Sequence, residues 1–199
     1  YETNQHYRFR EVILVGGTTA LSIYDPFWDA TFEDCVITQS PQATGQLVGT
    51  VAIQTGGSGS STQTSLTFKR CTFVNNLKGG IMIGHSSTTP TIITLEDCDM
   101  IDVAGQGVFV QTNNSPPGTV VQGNNLRIIN IAPASSSPVG SILHEDFGSG
   151  VNHNAVYSNV TYTQLYNTNV HEAGAGGNGF IIISPDSSET YLNLELDGL

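Results

Sequence analysis

The sequence predicts an all-β chain wound into stacked parallel coils, a single-stranded β-solenoid of about six turns. Three observations carry this expectation. A short template recurs along the chain: apolar-x-apolar, a two-residue corner, then apolar-x-apolar again. A second apolar-x-apolar step stands between successive templates, usually after a small residue. The apolar residues follow period two in a background of Gly and β-branched residues, which opposes a helical reading.

The clearest copy runs from Leu66 to Ile83. Leu66 and Phe68 share a face, Lys69 and Arg70 form the corner, and Cys71 and Phe73 resume the same face. Asn75, Asn76, Gly79 and Gly80 tolerate positive φ and turn the chain toward Ile81 and Ile83.

In chain order the template first appears as Tyr7 and Phe9, corner Arg10 and Glu11, then Val12 and Leu14. The next copy has Ala30 and Phe32, corner Glu33 and Asp34, then Cys35 and Ile37. After the Leu66 copy come Ile93 and Leu95, corner Glu96 and Asp97, then Cys98 and Met100. A fifth copy is read as Leu126, corner Arg127 and Ile128, then Ile129 and Ile131. The sixth is Ala155 and Tyr157, corner Ser158 and Asn159, then Val160 and Tyr162.

The intervening third strands begin at Leu21, Val51, Ile81, Val108, Ile142 and Phe180, the last read as Phe180 and Ile182 pointing one way. The copies recur every 23 to 36 residues, which implies loops of varied length on a constant coil. The long inserts are expected at 41–49, 56–65, 113–125, 133–138 and 163–178. Residues 1–199 read as one domain, with coils over about 7–183 and a terminal strand or cap in 184–199, where Tyr191 to Leu196 alternates. A β-sandwich competes with the solenoid; the repeated corners at equivalent places favour the solenoid.

The run from Phe68 to Ile83, with its Cys-x-Phe-x-Asn-Asn and Gly-Gly elements, resembles the right-handed parallel β-helix of the pectin-lyase-like superfamily. That group includes polysaccharide lyases, polygalacturonases, bacteriophage tailspikes and adhesins. The resemblance implies a right-handed coil and an extracellular or virion-surface setting, and it leaves activity open. The Gly84-His85-Ser86 triplet is a faint echo of a polygalacturonase element, but the Asn-Thr-Asp, Asp-Asp and Arg-Ile-Lys companions of that element are absent.

Six Lys and Arg against seventeen Asp and Glu give a net charge of −11, which repels phosphate backbones and excludes nucleic acid as a partner. No apolar run is long enough to span a bilayer, so no membrane insertion is expected. The N-terminal residues lack a starting Met and the regions of a signal peptide, which reads as a mature product or an excised fragment.

Cys35, Cys71 and Cys98 hold one template position and are expected as an internal ladder of reduced thiols, although one bridge between neighbours lies within reach. No metal or cofactor is expected, because no His shares that position and four converging ligands are lacking. The paired acids Glu33–Asp34 and Glu96–Asp97 are explained by the bends they occupy.

Candidate catalytic residues are Asp25 and Asp29, which flank the single Trp, and His144, Glu145 and Asp146, expected in a solvated loop near His153. Phe27 and Trp28 beside those carboxylates suit a sugar ring, or anchor a loop over the first coil. The residues between the inward positions of the third strands, Ala52, Met82, Phe109, Leu143 and Ile181, form an apolar stripe that predicts burial against loops or another subunit.

The function expected is therefore a non-catalytic structural or attachment domain. It would resemble part of a tailspike or fibre, associating side by side with copies of itself, as a trimer in the manner of that group, and meeting a surface glycan through its loops. A polysaccharide-cleaving enzyme and a surface-layer or filament subunit are the alternatives.

Overall fold

The computed structural model describes residues 6–16, 21–23, 29–39, 51–54, 64–74, 79–84, 91–101, 106–112, 119–130, 140–146, 152–164, 179–185 and 191–197. Side chains are described for 6–16, 29–38, 65–74, 92–101, 120–129, 155–161 and 163. All secondary-structure elements among these residues are strands, and every pairing is parallel. Parallel pairing throughout is at odds with a sandwich, whose sheets are built from antiparallel strands.

The strands recur in trios. First come β1 (His6–Arg10), β2 (Ile13–Gly16) and β3 (Leu21–Ile23), then β4 (Asp29–Glu33), β5 (Val36–Gln39) and β6 (Val51–Gln54). They are followed by β7 (Thr64–Lys69), β8 (Thr72–Val74) and β9 (Gly79–Gly84), and by β10 (Thr91–Glu96), β11 (Asp99–Ile101) and β12 (Gln106–Thr112). In the next two cycles the first two strands run together as β13 (Thr119–Asn130) and β15 (Asn152–Gln164), each followed by a third strand, β14 (Gly140–Asp146) and β16 (Gly179–Pro185). The series ends at β17 (Tyr191–Asp197), which pairs with β15 as the terminal strand that the alternation of 191–196 predicts.

Each strand pairs with its counterpart one cycle away. Because β13 and β15 run through both of the first two ladders, those ladders form one 11-stranded sheet. The third strands form a separate six-stranded sheet in the order β16-β14-β12-β9-β6-β3.

Register stacks equivalent side chains into rows, and the rows are the core. Ala30, Leu66, Ile93, Val121 and Ala155 form one row, and Phe32, Phe68, Leu95 and Tyr157 belong to the next, all of them 0–2% exposed. Parallel strands lie about 4.8 Å apart, so identical rings at one register position must stack nearly face to face. Phe9 and Phe32 have ring centroids 4.7 Å apart and Phe32 and Phe68 4.9 Å apart, with planes within 11° of parallel. Phe73 closes on Phe68 edge-on at 5.6 Å. Burial of Tyr157 pushes its phenol well above the ordinary range.

Each corner turns on one residue in the left-handed region: Glu11 (φ 54°), Asp34 (54°), Arg70 (51°), Asp97 (54°), Asn125 (53°) and Asn159 (52°). Asp and Asn are the non-glycine types that enter this region most readily, while a residue such as Glu11 or Arg70 pays roughly 1–2 kcal/mol there. The bend keeps the ladder intact, because the left-handed residue still donates its N–H to the next cycle. Glu11 donates to Glu33, Asp34 to Lys69, Arg70 to Glu96 and Asp97 to Asn124, at 2.8–3.0 Å.

The fifth corner differs from expectation. It lies at Asn124 and Asn125, not at Arg127 and Ile128, and residues 119–125, expected as part of an insert, belong to β13. Gly123 occupies the row of Phe32 and Phe68, where the template requires an apolar side chain, and that absence displaces the sequence reading by three residues. Leu126 accordingly takes the template position of Cys98 and pairs with Val160. A Cβ added to Gly123 would lie 2.7 Å from Cδ1 of Tyr157 and 2.8 Å from Cδ1 of Leu126, so neighbouring side chains fill the space that the glycine leaves.

Candidate functional site

Two surfaces bear on function: the ridge of corners, and the sheet of third strands. On the ridge, one cycle supplies the partner of the next. Arg70 donates to both carboxylate oxygens of Asp34, from Nε at 2.7 Å and from a terminal nitrogen at 2.9 Å, and Arg10 approaches the same carboxylate at 3.8 Å. Lys69 meets Glu96 at 2.9 Å, Arg8 meets Glu33, and Arg127 grips Asp99 through two nitrogens. Past the last of these charges the line continues through amides, with Asn125 donating to Asp97 at 2.7 Å and Ser158 and Asn159 both donating to Asn124.

Five of the chain's six Lys and Arg residues thus stand on or beside this ridge in ion pairs, although the sequence reading assigned four of them corner places only and paired none with a carboxylate. The signal was present in their clustering at corners, and reading it required the register between cycles. The same pairing makes Glu33 and Asp34 poor proton donors near neutrality. The hydrogen bond from Arg8 holds Glu33 below its usual carboxyl range, and that from Arg70 does the same for Asp34.

A depressed carboxyl contributes stability above its unfolded-state value, and that contribution is lost as pH falls through the folded value. Melting temperature is therefore expected to hold from neutral pH down to about 4.5 and to fall below that, where Glu and Asp reach the ordinary values of 4.5 and 3.8. Arg70→Met should flatten this acid limb, as measured by thermal unfolding followed by circular dichroism between neutral and acid pH. An unchanged limb would remove the Asp34–Arg70 pair as its cause.

Behind the ridge the three thiols are buried and unbridged. Each sulfur donates to two carbonyls, one two residues earlier and one in the preceding cycle: Cys71 to Lys69 and Phe32 at 3.4 Å, Cys98 to Glu96 at 3.3 Å and Phe68 at 3.5 Å. Cys35 does the same with Glu33 at 3.2 Å and Phe9 at 3.7 Å. Burial raises the Cys35 thiol, and the neighbouring Cys71 thiol together with burial raises Cys98. Small apolar volume with a weak donor suits this position, which Leu126 and Val160 occupy elsewhere without donating.

The sheet of third strands sets the expected stripe in register. Ala52 pairs with Met82, Met82 with Phe109, and Phe109 with Leu143. Beyond Leu143 the row passes to Ile182, whereas Ile181 pairs with Ile142 and so joins the row of Val108, Ile81 and Val51. Residues 180–183 are apolar at four consecutive positions, so period two could not choose between the two registers. No family model matches the chain, and neither does any curated protein or solved structure. Function must therefore be read from this geometry.

Among the proposed catalytic residues, Asp29 is about half exposed and pairs with His6 at 3.1 Å on the outer face of β4 and β1. Asp25, Phe27 and Trp28 lie outside the described residues, as does His85. His144, Glu145 and Asp146 end β14 rather than forming a loop, because they pair with Val110, Gln111 and Thr112 on one side and Ile183, Ser184 and Pro185 on the other. Ladder pairing with two neighbours overrides the low strand propensity of this polar run. His153 lies in β15, in the other sheet.

Proposed function

We propose that the chain is a right-handed parallel β-helix of the pectin-lyase-like kind, serving as a non-catalytic structural domain of an extracellular or virion-surface fibre and associating side by side with copies of itself. The three-strand cycle with every strand parallel to its counterpart supports the β-helix, and a parallel crossover within one sheet is right-handed in about 98% of cases.

One observation carries the self-association. Over β6, β9 and β12 the sheet of third strands is apolar in three adjacent rows, Val51, Ile81 and Val108, then Ala52, Met82 and Phe109, then Ile53, Ile83 and Val110; the first two continue through Ile142 and Leu143, while Ser22 precedes Ala52 and His144 follows Val110. Successive residues of a strand belong to opposite faces. Both faces of this sheet are therefore apolar, the pattern of parallel strands covered on both sides. The helix core covers one face. A neighbouring copy covers the other through the row of Ala52, Met82, Phe109 and Leu143, three copies closing around the contact, with the loops left to meet a glycan.

Light scattering on a dilution series tests this. At low concentration the mass should converge on three chains of 21.1 kDa, and Phe109→Asp should reduce it to one chain without changing the strand signal in circular dichroism. A wild-type monomer throughout would overturn the side contact. Unfolding of Phe109→Asp would place that row in the core instead.

A further inference from the structure

The two ends of the first ladder are complementary row by row. β1 stands at one end and pairs with β4, and β17 stands at the other and pairs with β15, so among the described residues each has one outer edge with no strand against it. Traced from strand to strand, the row of Arg8 on β1 ends at Glu195 on β17, and the row of Arg10 ends at Asp197. The rows of Tyr7 and Phe9, on the opposite face, end at Leu194 and Leu196. Cations at one end thus share rows with carboxylates at the other, and apolar residues share the alternate rows.

Among the described residues the core is also less covered at the first end. Phe9, Val12 and Leu14 are only partly buried, whereas their counterparts one cycle on, Phe32, Cys35 and Ile37, are at most 1% exposed. On β2 both Ile13 and Val15 are 70% exposed, and that strand carries no Lys or Pro of the sort that blunts an edge.

We propose that copies of the chain stack end to end, β17 of one copy pairing in parallel with β1 of the next in the register the ladder already uses. Glu195 and Asp197 then meet Arg8 and Arg10 of the next copy, while Leu194 and Leu196 continue the rows of Tyr7 and Phe9. The junction repeats the sign alternation found inside the ladder, where Arg10, Glu33, Lys69 and Glu96 follow one another in one row. Backbone hydrogen bonds along the new edge supply affinity, as in strand addition. The contact joins two different surfaces without a closing rotation, so it extends as a linear filament. It uses different residues from the side contact through Phe109, and the two are read separately.

Sedimentation velocity on the 199-residue chain, with electron microscopy of the same samples, tests the stacking. Wild-type mass should rise with concentration without reaching a plateau, and added salt should weaken the rise. Arg8→Glu with Arg10→Glu makes both ends acidic, and Glu195→Arg with Asp197→Arg makes both ends basic. Each variant alone should need a concentration on the order of 100-fold higher for growth, because like charges then face each other. An equimolar mixture of the two should grow again.

Arg8 and Arg10 also pair within the chain, so circular dichroism must first show that their variant folds. If it does not, the basic-end variant carries the test. Phe109→Asp should leave growth in place. A fixed wild-type mass at every concentration, or growth indifferent to the charge reversals, overturns the proposal.

Discussion

Replacing Phe68 by Ala should lower the free energy of unfolding by about 3–5 kcal/mol. Phe68 is fully buried and lies between two aromatic neighbours, stacked on Phe32 at 4.9 Å and edge-on to Phe73 at 5.6 Å. Its loss removes transfer free energy and leaves a cavity. It also forfeits two ring contacts, each adding roughly 0.5–1.5 kcal/mol. The backbone ladder above and below holds the strands at fixed spacing, so the void cannot collapse by strand movement. Phe9→Ala is the internal control: the same ring type, stacked on one side and only partly buried, should cost distinctly less. Urea unfolding followed by circular dichroism measures both. Equal losses at the two positions would mean that the ring row does not act as a graded stack.

Gly123→Ala is expected to destabilise by about 1–3 kcal/mol, the range for overpacking a dense core. The direction is informative, since Ala in a strand interior is otherwise favoured over Gly by roughly 0.5–1 kcal/mol. Here the new Cβ would lie 2.7 Å from the Tyr157 ring and 2.8 Å from the Leu126 side chain, both buried. Gly123→Val should cost more than Gly123→Ala. The companion change Tyr157→Leu should recover part of the loss in the Gly123→Ala background, with a coupling of about 0.5–3 kcal/mol, as for residues in direct contact. Stabilisation by Gly123→Ala would show that Tyr157 yields readily and that the row is not close-packed there.

The difference between these two sites explains what could be read in advance. Phe32, Phe68, Leu95 and Tyr157 announce their row because each sits two residues before a left-handed corner residue and is large and apolar. Gly123 holds the same place through what it lacks, and the reason lies in Tyr157, thirty-four residues away. A template built on side-chain type therefore reads five corners correctly and displaces the one where a neighbour's ring supplies the volume. The stripe at Ala52, Met82, Phe109 and Leu143 was legible from alternation, while its continuation to Ile182 required the pairing of β14 with β16.

The sequence by itself determined the strand-corner-strand unit, its recurrence, and the reduced, buried position of the three cysteines, because alternation and left-handed corners are local properties of a few consecutive residues. It also determined the net charge of −11. Only the tertiary structure decided which cation meets which carboxylate, which apolar residue continues each row, and that Arg8 and Arg10 share rows with Glu195 and Asp197. These facts depend on register between cycles separated by loops of unequal length. Register is set by packing and hydrogen bonding across the ladder, where a slip of one residue would exchange the core face for the outer one.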